Sequence, residues 1–223
     1  MPDRACRAEL APHDLVLVAD RALLLTPAGD PLPPPGLDAL SQTVPRHVPE
    51  GWVVVRRGQS PAGHVPVGIR GASREDRFAS ILPLSAVVRV LRPWDLSQEI
   101  PAHRADLPAF LALATARDVF RQRAAEVPWG PGGSVGFELA TGVAAVTGAS
   151  DLDLVIRCDL RPDSHVLAPF VDLMAQAPCR VDVQVLTPQG GFVLSEWFDR
   201  TNGQVALRTA TGPVLAADPW ATP

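Results

Sequence analysis

Two stretches in which aspartates alternate with apolar residues constrain the fold of this chain most. Residues 151–157 read DLDLVIR, and residues 180–186 read RVDVQVL. A period of two predicts strands that bury one face in a core. Because residues i and i+2 lie on one face about 6.6 Å apart, Asp151 and Asp153 project side by side, and the leucines between them turn to the core. The later stretch presents Asp182 in the same way.

A glycine-rich turn lies upstream of these strands. Residues 132–134 read Gly-Gly-Ser, and a short helix is predicted over residues 135–141. Glycine lets the backbone approach a phosphate closely, and the free amides at the start of a helix attract an anion. We therefore expect Gly133 and Ser134 to bind a triphosphate.

The three acids predict a magnesium site. Hard oxygen ligands suit Mg²⁺, which takes one or two carboxylates and completes its shell with water and substrate phosphate. We expect Asp151, Asp153 and Asp182 to hold the metal, and two ions about 4 Å apart would activate an attacking hydroxyl and neutralise a leaving pyrophosphate. Asp182 has a second interpretation, an ion pair with Arg180. Arg180 could instead meet a phosphate, which is our prediction for it.

Composition excludes several other chemistries. All twenty basic residues are arginine, so neither a Schiff-base lysine nor a P-loop lysine is present. The net charge of −4 argues against a nucleic-acid partner. The sequence shows no zinc-ligand spacing, no Rossmann fingerprint and no Ser-His-Asp arrangement.

The chain lacks the features of membrane and secreted proteins. No run approaches 18 uncharged apolar residues, and the first residues lack the apolar core of a signal peptide. Cys6, Cys158 and Cys179 form no CxxC pair, which favours reduced thiols. We therefore expect a cytoplasmic protein with no membrane partner.

The order of predicted elements indicates an α+β protein. A smaller β-rich N-terminal domain, residues 1–92, would precede a domain at residues 93–223 in which helices pack on a mixed sheet. A proline-rich stretch, residues 27–36, is expected to be an extended loop. The predicted strands are 15–19, 22–25, 52–57, 65–70, 86–91, 151–157, 180–186, 192–198, 204–209 and 213–216. The predicted helices run from an N-cap at Asp106 to about Glu126, over 135–141 and over 166–175.

The acids and the glycine turn resemble a known superfamily. Polymerase-β-type nucleotidyltransferases have the pattern Gly-Ser, then Asp-x-Asp, then a later lone acid. The sixteen residues between Ser134 and Asp151 are more than is usual in that superfamily. The chain is similar to the malonate decarboxylase holo-acyl carrier protein synthases, also called phosphoribosyl-dephospho-CoA transferases. The similarity lies in residues 128–142, which read PWGPGGSVGFELATG, and in residues 150–154, which read SDLDL. Shorter similar motifs lie elsewhere: CRVDVQ at 179–184, GGF at 190–192, EW at 196–197, PHDL at 12–15, PVGIRG at 66–71 and RFA at 77–79.

This resemblance implies a reaction. The donor would be 2'-(5''-triphosphoribosyl)-3'-dephospho-CoA, and the acceptor a serine of the apo acyl carrier subunit of malonate decarboxylase, with pyrophosphate released. By the same resemblance Asp151 and Asp153 hold Mg²⁺, Gly133 and Ser134 cradle the triphosphate, and Asp182 helps to deprotonate the acceptor serine. The nucleophile would belong to the partner.

Three alternatives remain open from the sequence. The chain could be a nucleotidyltransferase that uses ATP, an enzyme that serves the citrate lyase carrier, or a catalytically silent scaffold of the same fold. An arginine patch, which includes Arg74 and Arg77, is either a solvated face or a docking surface for the carrier or for the CoA portion of the donor. Glu138 and Thr141 could line the pocket or lie on the helix surface.

Overall fold

The computed structural model describes residues 10–20, 23–30, 51–70, 77–96, 99–200 and 202–221. The chain divides into two compact units, an N-terminal unit, Met1–Arg92, and a C-terminal unit, Pro93–Pro223. Each unit has its own sheet and its own cluster of buried apolar side chains. The α+β class predicted from the sequence is confirmed.

The N-terminal unit is an antiparallel sheet. Its five strands lie in the order β4-β3-β2-β1-β5. Valines dominate its core, because every second residue of β2 and β3 is buried. The strands are β1 (Leu15–Val18), β2 (Trp52–Val55), β3 (His64–Arg70), β4 (Arg77–Pro83) and β5 (Val87–Leu91).

Strand β4 was not predicted from the sequence. It pairs with β3 along its whole length, and the hydroxyl of its buried Ser80 donates to the carbonyl of Leu25 at 2.7 Å. Leu25, from the predicted strand 22–25, forms only an isolated bridge to Ile81. Part of that predicted strand, and residues 31–36 of the predicted proline-rich loop, lie outside the described residues.

The C-terminal unit contains a mixed sheet, as predicted. Six strands lie in the order β11-β10-β9-β8-β7-β6, with β7 and β8 parallel and the other neighbouring pairs antiparallel. The strands are β6 (Trp129–Pro131), β7 (Leu152–Arg157), β8 (Val181–Thr187), β9 (Gly190–Val193), β10 (Val205–Thr209) and β11 (Gly212–Ala216).

Helices cover the apolar face of this sheet. Phe110 and Phe120 of the long helix α1 are buried in one cluster with the leucines of β7. The ring of Phe120 stacks on Trp129 with 3.9 Å between centroids. Full burial of one such side chain contributes about 1.5–3 kcal/mol to stability. The helices are α1 (Pro108–Arg123), α2 (Gly133–Thr141), α3 (Ser164–Leu167), α4 (Pro169–Gln176) and α5 (Leu194–Asp199), and short 3₁₀ turns lie at Leu84–Ala86, Pro93–Asp95 and Ala102–Arg104.

Several predicted boundaries are wrong. The N-cap of α1 is Leu107 rather than Asp106, and the helix ends at Arg123. The helix predicted over 166–175 is divided into α3 and α4, because Pro169 has no amide hydrogen with which to continue the first helix. The strand predicted over 192–198 ends at Val193, where α5 begins.

No helix within the described ranges is both long enough and apolar enough to cross a membrane.

Candidate active site

Parallel pairing of β7 with β8 brings two of the predicted acids together. Asp153 is the register partner of Asp182. Neighbouring strands lie about 4.8 Å apart and register partners point to the same face, so these two carboxylates are adjacent. Leu152 and Leu154 are fully buried on the opposite face. Asp151 immediately precedes β7, so all three predicted acids lie at one end of the strand pair.

The glycine turn lies directly against Asp153. The amide of Gly132 donates to the carbonyl of Asp153 at 2.8 Å. A Cβ atom at Gly133 would overlap the carboxylate of Asp153, and the φ of Gly133 is +54°, in the left-handed region. Any other residue here would be strained and would displace the carboxylate. Glycine at this position therefore allows the start of α2 to contact the acid.

The N-terminus of α2 lies beside this contact. Gly132 is its N-cap residue, and within the described part of the chain no side chain caps the helix. Gly133 is exposed and Ser134 is half-buried. The first amides of a helix carry partial positive charge, and the Ser134 hydroxyl is a further donor. The turn can therefore bind an anionic group next to Asp153.

Arg180 forms an ion pair with Asp182. Its Nε and Nη2 donate to Asp182 Oδ1 at 3.1 and 2.9 Å. The Arg180 side chain is 72% exposed and that of Asp182 is 32% exposed. The hydrogen bond to Asp182, and then the charge of Asp182, raise the pKa of Arg180, and Asp151 and Asp153 add to this effect. The guanidinium thus lies in the field of all three acids, and its contact with a phosphate stays a prediction.

The acids do not form a three-ligand metal centre by themselves. Among the residues that the structure describes, no three His, Cys, Asp or Glu side chains converge as a metal-binding group. The donor chemistry still fits Mg²⁺, which is commonly held by one or two carboxylates with water and phosphate. Gly133 also leaves room for the Asp153 carboxylate, which lies where a Cβ atom would be. The metal site and the catalytic roles of the acids remain predictions.

Comparison with known proteins decides the family. Residues 95–219 match the family described as the phosphoribosyl-dephospho-CoA transferase MdcG C-terminal domain, and residues 11–93 match the corresponding N-terminal domain. The chain belongs to the phosphoribosyl-dephospho-CoA transferase family. It is therefore a transferase of that kind, and the resemblance seen in the sequence is confirmed.

Several relatives in this family cover most of the chain. A phosphoribosyl-dephospho-CoA transferase of Pseudomonas syringae pv. tomato is 41% identical over 94% of this chain and 92% of its own length. The protein of the same description from Pseudomonas aeruginosa is 39% identical over 82% of this chain and 92% of its own. One from Klebsiella pneumoniae is 38% identical over 75% of this chain and 80% of its own. No solved structure matches the chain.

Sequence reasoning missed the role of one acid in this transferase. Glu138 of α2 is neither a pocket residue nor a surface residue, because it is only 3% exposed. Arg104 donates to its two oxygens at 2.5 and 3.2 Å, and the amides of Ala145 and Val146 donate at 2.7 Å each. One signal was available, since Glu138 is the only charged residue between Ser134 and Asp151.

The two cysteines that the structure describes in this transferase, Cys158 and Cys179, are not suited to nucleophilic catalysis. Burial, with a smaller effect of Asp159, raises the pKa of the Cys158 thiol to about 11. Burial and the charge of Asp151 also raise the pKa of Cys179, although a hydrogen bond with the Leu152 backbone partly opposes them. Thiols with raised pKa values are protonated at neutral pH and react slowly.

Some predicted features lie outside the described residues. These are Cys6, and Arg74 and the side chain of Arg77 from the predicted docking patch.

Proposed function

We propose that the chain transfers the 2'-(5''-phosphoribosyl)-3'-dephospho-CoA group from its triphosphate precursor to a serine of the apo acyl carrier subunit of malonate decarboxylase. Pyrophosphate is the second product. One observation carries the proposal: the glycine turn at the start of α2 touches the carboxylate of Asp153, and Asp182 lies in register beside it. An anion-binding turn and adjacent acids are what transfer from a triphosphate requires.

The chain's own donors hold the triphosphate. The amides at the start of α2 and the hydroxyl of Ser134 bind its oxygens. Arg180 is largely exposed, so its guanidinium can also bind the phosphates. Because Gly133 has no side chain, the Asp153 carboxylate can lie against the backbone of the turn, next to these donors.

Mg²⁺ is the cofactor that we propose, with Asp151 and Asp153 as its ligands and Asp182 as a further acid at the site. When bound, Mg²⁺ would neutralise charge on the triphosphate and on the departing pyrophosphate. In its absence two adjacent carboxylates would repel an incoming triphosphate. Arg180 offsets part of that repulsion at Asp182.

The attacking oxygen comes from the acceptor. A bond forms between the serine oxygen of the carrier and the α-phosphorus, and the bond from that phosphorus to the bridging oxygen of pyrophosphate breaks. Arg180 binds Oδ1 of Asp182 through both of its hydrogen bonds. We assign the other oxygen, Oδ2, to accept the serine proton. This division explains why the chain needs no nucleophile of its own.

The proposal is tested by incubating the purified protein with Mg²⁺, the triphosphoribosyl-dephospho-CoA donor and the apo carrier subunit. The expected result is a carrier mass gain equal to the donor minus pyrophosphate, with one pyrophosphate released per carrier. Asp151→Asn and Asp153→Asn should each lower the rate by at least about 100-fold. Asp118→Asn is the matched control, because Asp118 is exposed on α1 and pairs with Arg121 at 2.8 Å.

Three other outcomes would change the proposal. Pyrophosphate release from ATP, with no transfer from the named donor, would keep the site and replace the donor. Labelling of the citrate lyase carrier in preference to the malonate decarboxylase carrier would replace the acceptor. Full activity in both acid variants would remove the site itself.

A further inference from the structure

We infer that Glu138 and Arg104 are positioning residues for Asp151, and that they act by fixing the segment that joins α2 to β7. The inference rests on the proposed function, because it names a determinant of the same site. We call residues 142–150 the connector. Neither Glu138 nor Arg104 belongs to the glycine turn or to the three acids.

The carboxylate of Glu138 is fully used inside the protein. Arg104 Nε donates to Oε1, and Arg104 Nη2 donates to Oε2. The amides of Ala145 and Val146 also donate to Oε2. An ionised carboxylate only accepts hydrogen bonds, and bonds to charged groups are roughly twice as strong as neutral ones. Glu138 therefore binds the connector rather than substrate.

Arg104 fixes the connector from the other side. Its Nη2 also donates to the carbonyl of Val146 at 2.5 Å. The amide and the carbonyl of Val146 are thus both held by this ion pair. Because the guanidinium is planar, it can contact Glu138 and the Val146 carbonyl in one fixed geometry.

The remainder of the connector is also ordered by local contacts. Gly142 ends α2 in the left-handed conformation, with a φ of +73°. The amide of Val143 donates to Thr141 Oγ1 at 3.2 Å. Thr147 and Ser150 close a turn, in which the Ser150 amide donates to the Thr147 carbonyl at 3.1 Å. The long spacing between Ser134 and Asp151 is thus a fixed spacer, with Glu138 and Arg104 at its centre.

Asp151 depends on this spacer more than Asp153 does. Asp153 lies inside β7, where it is held by pairing with β8 and by the bond from Gly132. Asp151 is the residue that follows the connector and precedes the strand. A shift of the connector therefore moves Asp151 first, while Asp153 and Asp182 keep their register.

The first test needs no catalysis. In the full-length Glu138→Gln protein, the amide group would replace one carboxylate oxygen and present N–H groups to donors. We expect hydrogen exchange of residues 143–151, followed by mass spectrometry, to be at least about tenfold faster, with the exchange of residues 153–157 unchanged. Asp118→Asn, the same chemical change on an exposed helix face, should leave both segments unchanged.

The second test separates positioning from general destabilisation. Glu138→Gln should lower kcat/KM by about 10- to 100-fold and raise the Mg²⁺ concentration that gives half-maximal activity. Asp151→Glu keeps a carboxylate at a displaced position. In that background Glu138→Gln should have little further effect, because both changes act through the same side chain. Equal losses in the two backgrounds would overturn the inference.

Two further outcomes are decisive. If wild-type protein transfers nothing from the named donor, the proposed function falls and hydrogen exchange decides alone: unchanged exchange at residues 143–151 overturns the inference, and faster exchange supports it. If Glu138→Gln does not fold, Arg104→Lys is used in both tests, because it keeps the charge and removes the planar fork. Wild-type exchange in that variant also overturns the inference.

Discussion

The absence of a side chain at Gly133 determines how closely α2 approaches Asp153. The backbone there is left-handed, and the position that a Cβ would take is occupied by the Asp153 carboxylate. Both features require glycine, because the left-handed φ strains any other residue and the carboxylate occupies the space that a side chain would need. The residue thus combines a local conformational requirement with a contact to a residue twenty positions later in the chain.

Gly133→Ala should therefore damage both activity and stability. We expect the rate of carrier labelling to fall by about 100-fold, since the carboxylate must move. The free energy of unfolding, measured by urea denaturation, should fall by about 1–3 kcal/mol.

Two other glycines distinguish the effect of backbone strain from the effect of steric overlap with Asp153. Gly203 has a φ of +68°, and no described atom lies within 4 Å of its Cβ position, so Gly203→Ala should cost about 1–2 kcal/mol through strain alone. At Gly148 the Cβ position is equally open and φ is not in the left-handed region, so alanine there should change stability by less than about 0.5 kcal/mol. Equal activity losses at Gly133 and Gly203 would contradict the role of the Asp153 contact.

The order of residue types along the chain was enough to predict part of the candidate site. The Gly-Ser turn and the Asp-x-Asp strand are local patterns, and the structure places Gly133 against Asp153. From the sequence Arg180 had two possible partners, a phosphate or Asp182, and the structure shows the ion pair with Asp182. The role of Glu138 was not assigned, because its burial depends on residues 145–146 folding back onto α2, which the spacing of residues along the chain does not show.

Among the elements, β7 and β8 were the most predictable. Strand β8 alternates and buries one face as expected, whereas β7 alternates only as far as Leu154, because Val155 is buried on the face that carries Asp153. Their parallel register was not predictable, because it depends on the chain crossing over through α3 and α4 between them. Strand β4 was missed because RFASILP alternates poorly, and β6 because three residues ending in proline carry little pattern.

The start of α1 gives a prediction at the scale of one element. Asp106 precedes the N-cap, and no described side chain makes a capping hydrogen bond to this helix. Asp106→Ala should therefore change the free energy of unfolding by less than about 0.5 kcal/mol, whereas loss of a true cap costs about 0.5–2 kcal/mol. Phe110→Ala, which empties a fully buried position in the same helix, should cost about 3–5 kcal/mol and shows that the denaturation assay responds. If Asp106→Ala lowers the free energy of unfolding by more than about 1 kcal/mol, Asp106 caps the helix as the sequence predicted.

At the scale of the whole molecule, the family matches and the compact units divide the chain at the same place. The matches cover residues 11–93 and 95–219, and the units meet between Arg92 and Pro93. Composition and element order predicted an α+β protein with domains at residues 1–92 and 93–223, although the short turn at Pro93–Asp95 has no periodic pattern of its own.

The C-terminal unit should fold alone if it begins at Pro93. The Pro93 carbonyl lies where a Cβ at Gly130 would be, and the guanidinium of Arg157 lies 5.8 Å from the ring of Trp94. A fragment of residues 93–223 should therefore unfold cooperatively when it is followed by circular dichroism during heating. A fragment of residues 99–223 lacks this turn and should melt at least about 5 °C lower. Equal midpoints would show that the turn does not stabilise the unit.

The register of β7 and β8 also has a consequence for the route by which this unit folds. Two acids that face each other on paired strands repel, so docking of β8 onto β7 must overcome a charge barrier between Asp153 and Asp182. Arg180 is the residue directly before β8 and binds Asp182. Because Arg180 and Asp182 are only two positions apart, their ion pair is a local contact within one segment, and it offsets part of the repulsion between the paired acids.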